Sequence, residues 1–284
     1  MEVGTVRDGL ADEPGAVLWL GPTGRDRVLL LHDLAASGST SWLGQLSLAD
    51  EVNLGVVDRP GYAMTDPVSA AGWTADTTML VGLLDRDGPC HLVAHGNATA
   101  GALMAAQLAP SLVRSLVLVE PPLFQLAQGS SLVEDLSGAL VELHRHAEDL
   151  TGAEYLKEYL LTVGYLEPPR LSVPQRCAEA ARAERPACQA PIDLDTLART
   201  SVSVTVVVGG RQGGWHDPGE RTVFGGAVWR TAEVLAGAMD GWLVPIDSAG
   251  HEVQRRTGAF NQVLCQHLEA WWGSHQHGHV AAGT

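Results

Sequence analysis

Short apolar runs bounded by turn residues recur along the first half of the chain, with helical patterns between them. Val17–Leu20, Val28–Leu31, Leu54–Val57, Leu92–Ala94 and Leu116–Val119 read as strands. Much later Val202–Val208 forms the strongest β-branched run, and Leu243–Ile246 follows it. Thr74–Leu84, Asn97–Ala109 and about Gly258–Trp272 carry helical spacing. Strands that are apolar throughout, alternating with helices, predict an α/β fold with a mostly parallel sheet flanked by helices.

Between Pro121 and Thr200 the pattern changes. No strand pattern is evident there; Leu132–Leu150 and Glu154–Val163 read as helices, and Glu167-Pro168-Pro169-Arg170 interrupts them. An all-helical insertion between two strands predicts a cap. The expected organisation is therefore a core of residues 1–121 and 201–275, a helical cap at 122–200, and a flexible tail at 276–284.

Composition narrows the partners. Formal net charge is −15, from 33 acidic and 18 basic residues, so nucleic acid and anionic membranes are not expected to bind. No apolar run reaches the roughly 18 residues of a membrane span. The acidic N-terminus shows no apolar signal core, which predicts a cytoplasmic protein acting on a small molecule. A single lysine, Lys157, and an Ala/Gly/Leu-rich composition suggest a GC-rich bacterial genome. Cys90, Cys177, Cys188 and Cys265 form no close metal-binding pair and are expected as reduced thiols. No metal and no cofactor are expected, and the oligomeric state is left open.

Four segments carry candidate chemistry: LLLHDLAASGSTSW (Leu29 to Trp42), VVDRPGYAMTD (Val56 to Asp66), HLVAHGNATAGALMAAQLAPSLVRSLVLVEPP (His91 to Pro122) and DSAGHEVQRRTGAFNQVLCQHLEAWW (Asp247 to Trp272). In this order they resemble the α/β-hydrolase superfamily, above all its cap-bearing branch of esterases, epoxide hydrolases and dehalogenases. The resemblance implies the α/β-hydrolase fold with an inserted helical cap. It also implies a sharp strand-to-helix elbow reading Gly-x-Ser-x-Gly. Here those five positions are Ala94, His95, Gly96, Asn97 and Ala98, so the nucleophile position holds glycine. Glycine tolerates strained backbone angles and leaves space for a water or a substrate atom at the pocket base.

The resemblance further implies that His251 is the general base. The family's acid position after Val202–Val208 holds Gly213, so the acid partner is Asp217, further along that loop, or Glu120, after Leu116–Val119, or His251 has no carboxylate partner. The backbone amides of Asn97 and Leu34, beside Gly96, are the implied oxyanion donors. Asp33 replaces a family glycine and is read as a further acid/base group. Trp73, Trp215 and His95 are read as pocket residues, although His32 and His95 match histidines that are usually structural. Asp58 is expected to cap a turn, and Trp42 to pack near the pocket or in the core. Ser37, Ser39 and Ser248 lie near the site but not on an elbow.

Three readings of function follow. The first is a non-covalent acid/base enzyme of lyase, isomerase, dehydratase or cyclase type, acting on a carbonyl-bearing, natural-product-like molecule of secondary metabolism. The second is a hydrolase that activates water directly. The third is an inactive pseudohydrolase that only binds its ligand. A serine hydrolase whose nucleophile was exchanged by design is a further alternative.

Overall fold

The computed structural model describes residues 16–165, 172–210, 223–247 and 249–276. Nine strands form among them: β1 (Ala16–Leu20), β2 (Arg27–Leu31), β3 (Asn53–Asp58), β4 (Ala71–Gly72), β5 (Cys90–His95), β6 (Val113–Val119), β7 (Glu184–Arg185), β8 (Ser203–Gly209) and β9 (Trp242–Ile246). Seven of them build one sheet in the order β1-β3-β2-β5-β6-β8-β9. Only β1 runs antiparallel to its neighbour; the other pairings are parallel.

The helices are α1 (Gly38–Ser41), α2 (Trp73–Asp87), α3 (Ala98–Leu108), α4 (Ser131–Arg145), α5 (Gly152–Thr162), α6 (Gln175–Ala183), α7 (Leu194–Ala198), α8 (Val223–Ala238) and α9 (Thr257–Gln276). The central strands explain the apolar runs. In β2, Leu29 and Leu31 join the cluster packed by α2, α3 and α8, while Val28 and Leu30 join the cluster packed by α9. Both faces of the strand are covered, so period-two alternation would expose apolar surface that this strand has no need to expose. On the first face α2 and α3 approach closely: a Cβ added at Gly101 would lie 2.5 Å from the Asp76 Cβ. Gly101 is thus fixed by contact rather than by dihedral freedom.

The segment between β6 and β8 holds α4 to α7 and, contrary to the sequence reading, a strand. The two-residue β7 pairs in parallel with β4, and the pair docks this insertion onto the loop leading into α2. Two residues carry too little pattern to read. The predicted helix Leu132–Leu150 is also two pieces, because α4 ends at Arg145, capped by His146, and a short 3₁₀ turn follows at Ala147–Asp149. Of the expected tail, Gln276 closes α9 and residues 277–284 lie outside the described residues. No helix among the described residues is long and apolar enough to cross a membrane.

Candidate active site

The C-terminal ends of β2, β5, β6, β8 and β9 converge at one edge of the sheet, where open α/β sheets bind ligands. His32 and Asp33 follow β2, Gly96 and Asn97 follow β5, Glu120 follows β6, and His251 follows β9. Each backbone is held before its side chain matters. The Gly96 N–H donates to the Val119 carbonyl at 2.9 Å, and the Glu120 N–H donates to the Val207 carbonyl at 2.8 Å. Gly96 sits at φ +56°. Glu120 sits at φ +50°, a left-handed conformation that costs a non-glycine residue on the order of 1–3 kcal/mol.

These residues form one buried chain of polar groups. The Asp33 carboxylate accepts the Asn97 backbone N–H at Oδ1, 2.7 Å away. Its Oδ2 lies 2.8 Å from His251 Nε2. On the other side of the ring, His251 Nδ1 lies 3.3 Å from Glu120 Oε2. Glu120 Oε1 accepts the Gly209 N–H at 2.5 Å. Asp33, Glu120 and His251 are all buried.

Burial alone would strip the charges from this chain, and the neighbours prevent it. Desolvation opposes the His251 imidazolium, but the hydrogen bonds and negative charges of Asp33 and Glu120 outweigh it and raise the pKa to about 9. Burial also works to neutralise Asp33, yet the His251 hydrogen bond, the nearby imidazole charges and the Asn97 amide hold its carboxyl below the usual carboxylate range. At neutral pH the ring therefore carries both protons and donates one to each carboxylate.

The space beside Gly96 is not a void for a water, as the sequence reading has it. A Cβ built on Gly96 would fall 2.0 Å from both Cγ and Oδ1 of Asp33. The Asp33 carboxyl fills the volume that a side chain at Gly96 would need. The expected pair of amide donors is divided accordingly. The Asn97 N–H is taken by Asp33, and the Leu34 N–H meets no acceptor among the described residues.

The other expectations sort as follows. Glu120 meets His251. Asp217 and Trp215 lie outside the described residues. His95 does not reach for a ligand: its Nε2–H donates to the His251 carbonyl at 3.0 Å, and its Nδ1 accepts from Gln254 at 3.3 Å. It anchors the loop that carries His251. His32 is likewise a brace, donating from Nδ1 to the Asp33 carbonyl and accepting the Arg59 N–H at Nε2. Burial and the Arg59 charge lower its pKa to about 3, so it stays neutral. Trp73 packs beneath the Arg185 guanidinium at the β4–β7 seam rather than lining the cavity. Asp58 accepts the Gly38 N–H at 2.8 Å, a capping role, and Trp42 is buried against Phe260.

Asp33, His95 and His251 offer ligand atoms within 4.8 Å of one another. Both ring nitrogens of each histidine already engage protein groups, so a cation there would have to displace those bonds.

The sequence reading missed a tyrosine-lined cavity beside Asn97. A cavity of about 10 Å³, near the size of one water, is lined by Asn97 and by Tyr155, Tyr159, Glu184 and Cys188 of the insertion. Tyr155 and Tyr159 are one helical turn apart on α5, so they share a face. Neither hydroxyl has a hydrogen-bond partner among the described residues, and the Asp33 charge helps burial to push the Tyr159 phenol up. The four-residue spacing of these tyrosines on an amphipathic helix was the available signal.

The chain matches the family model described as the alpha/beta hydrolase family over residues 28–263. Its backbone is similar to an alpha/beta hydrolase from Sphaerobacter thermophilus at 17% identity, covering 89% of this chain and 96% of that one, with a TM-score of 0.66. A carboxylesterase from Nitrososphaera gargenis gives 14% identity, coverage of 92% and 96%, and a TM-score of 0.65. A carboxylesterase from Bacillus subtilis gives 16% identity, coverage of 89% and 87%, and a TM-score of 0.58. No curated protein matches the sequence. The chain belongs to the α/β-hydrolase family.

Proposed function

We propose that this protein is a hydrolase that works without an elbow nucleophile, through the triplet Asp33–His251–Glu120. One observation carries the reading: the Asp33 carboxylate fills the space beside Gly96 and joins His251 to the Asn97 amide. That arrangement retains an imidazole for moving a proton, a carboxylate to orient it, and an amide that holds the other oxygen of that carboxylate. Glycine itself supplies no atom for attack. The esterases among the structural neighbours act by hydrolysis, which supports water as the second reactant here.

The substrate is a small neutral molecule enclosed between the sheet edge and the insertion. An anion in the cavity would meet Glu184, and no cation is among the described residues that line it; Arg59 is already bonded to Asp76 and Glu184.

The test compares wild type with Asp33→Asn and His251→Asn on activated short-chain esters, lactones and small cyclic ethers. Wild type is expected to hydrolyse members of one of these classes. Each substitution should lower kcat/KM by about 10²–10⁴-fold, the usual worth of a positioned acid or base. Activity that survives both substitutions rejects the triplet.

The second reading is a proton-transfer reaction of lyase, isomerase, dehydratase or cyclase type on a carbonyl compound. It is favoured by the closed site, in which Asp33 and His251 already share a proton-bearing hydrogen bond. Exchange of deuterium from solvent into an α-position of a ketone, with no hydrolysis of any ester, lactone or ether, would select it.

A further inference from the structure

We infer that Asp33 is the covalent nucleophile, so that the role of the elbow side chain has moved to the loop after β2 while the elbow keeps only its backbone amide. The inference rests on the hydrolytic reading above and adds the covalent step to it.

Three features of the geometry converge on one carboxyl group. First, Asp33 Cγ and Oδ1 stand where a side chain at Gly96 would begin, 2.0 Å from the built Cβ. Any reactant placed for an elbow nucleophile therefore meets Asp33 instead. Second, the two oxygens are differentiated. Oδ1 is held by the Asn97 N–H at 2.7 Å, and Oδ2 faces His251 Nε2 at 2.8 Å. Third, glycine at position 96 is what lets Asp33 in, since any side chain there would overlap it.

The placement also names the kind of carbon attacked. In a serine-type site the Asn97 amide would receive the carbonyl oxygen of the substrate. Here it already holds an oxygen of the enzyme's own carboxylate. The carbon attacked is therefore saturated and bears a leaving oxygen. Displacement at such a carbon runs in line, so the leaving oxygen departs away from Asp33. Tyr155 and Tyr159 line the cavity that begins at Asn97; their hydroxyls have no hydrogen-bond partner among the described residues and are suited to hydrogen-bond that oxygen.

The step balances. One Asp33 carboxylate oxygen forms a bond to the carbon, and the bond from that carbon to the leaving oxygen breaks. The leaving oxygen takes a proton, supplied across the tyrosine hydroxyls and ultimately from the His251 imidazolium, which loses its anionic partner once Asp33 becomes an ester. Neutral His251 then removes a proton from water, and the hydroxide attacks Asp33 Cγ. Negative charge collects on Oδ1, against the Asn97 N–H. Collapse breaks the bond from Cγ to the substrate oxygen and releases an alcohol. The carboxylate and the imidazolium are restored, so water is the only other reactant.

Heavy-oxygen labelling decides the matter. Excess wild-type enzyme is given a six-carbon terminal epoxide, or a γ-lactone in parallel, in water enriched in oxygen-18, and the peptide containing Asp33 is analysed by mass. The expected result is heavy oxygen in Asp33, because the hydroxide adds to its Cγ. His251→Gln, in which solvent has to supply the leaving-group proton, should form the ester more slowly but fail to hydrolyse it, so that it accumulates as an intact-protein mass gain equal to the probe and mapped to Asp33. Asp33→Asn, confirmed folded by circular dichroism, should show no gain. Turnover with label in the product alone overturns the covalent step and leaves the hydrolytic reading standing. Turnover of neither probe, with activated esters hydrolysed, overturns the saturated-carbon assignment. No hydrolysis of any probe overturns both readings.

Discussion

Two buried triplets in this molecule have the same layout, one cation between two carboxylates. In the first, His251 lies between Asp33 and Glu120. In the second, Arg59 lies between Asp76 and Glu184 at 2.7 and 2.5 Å, and the Tyr62 hydroxyl donates to the far oxygen of Glu184. Both carry one more negative than positive charge, and both are closed to solvent. They differ in the acidity of the central group. Guanidinium keeps its proton throughout the accessible pH range, so the Arg59 triplet can only hold. Imidazolium at a pKa of about 9 can give its proton up, so the His251 triplet can react. The same electrostatic frame serves as a clamp in one place and as a proton store in the other.

The clamp joins three separate pieces of chain: Arg59 after β3, Asp76 in α2 and Glu184 in β7 of the insertion. Its removal gives the largest predicted effect. Arg59→Met leaves two buried carboxylates without a cation, at a cost of about 3–5 kcal/mol. Urea denaturation followed by circular dichroism would read this as a lower midpoint. An unfolding free energy within about 0.5 kcal/mol of wild type would show that the clamp is not what fastens the insertion. His251→Gln should cost less stability while abolishing turnover, which separates holding from reacting.

The next effect tests the space around Gly96. Gly96→Ser puts a side chain into the Asp33 carboxyl and into a left-handed backbone site, and should destabilise by roughly 1–3 kcal/mol. Adding Asp33→Gly frees that volume and the Asn97 amide together. The double variant is expected to regain stability and to hydrolyse an activated short-chain ester through the new serine, whereas Gly96→Ser alone does not. Equal melting temperatures for wild type and the Gly96→Ser variant would mean that Asp33 does not occupy this space.

Much of this was legible in the sequence, and the gaps have physical reasons. The strands showed because β2, β5 and β8 are apolar on both faces, and the elbow showed because Gly96 stands between a strand and a small-residue helix. Asp33, Glu120, Asn97 and His251 were each visible as departures from or matches to a pattern. Their connection was not: Asp33 and His251 are 218 residues apart, and Glu120 and His251 are 131 apart. Whether the Asp33 carboxyl points in or away depends on free volume at Gly96, which no local spacing encodes. The Arg59–Glu184 contact was hidden similarly, since β7 is two residues long and its docking is a tertiary event.

Glu120→Gln sharpens the comparison on a smaller scale. The amide keeps the shape and can still meet the Gly209 N–H through its oxygen, but one of the two charges that raise His251 is gone. The His251 pKa should fall by about a unit or more. The alkaline limb of a kcat/KM profile would move down accordingly, with little change in stability. An unmoved limb would mean that Asp33 alone sets the protonation of the ring.

The most gradual effect is a pH dependence that only one triplet can show. The folded pKa of His251 is raised from 6.5 to about 9, so the folded state binds this proton more tightly than the unfolded chain does. The resulting stabilisation is fully present below about pH 6.5 and is lost as pH rises through about 9. Arg59 does not titrate there. Melting temperatures measured from neutral to mildly alkaline pH should therefore decline in wild type. The difference between wild type and a His251→Gln variant should shrink over the same window, by a few kcal/mol at most. A difference that stays constant across that window would mean that His251 is neutral at rest. It would then accept rather than donate at one of its two carboxylate contacts, which requires that carboxyl group to carry the proton instead.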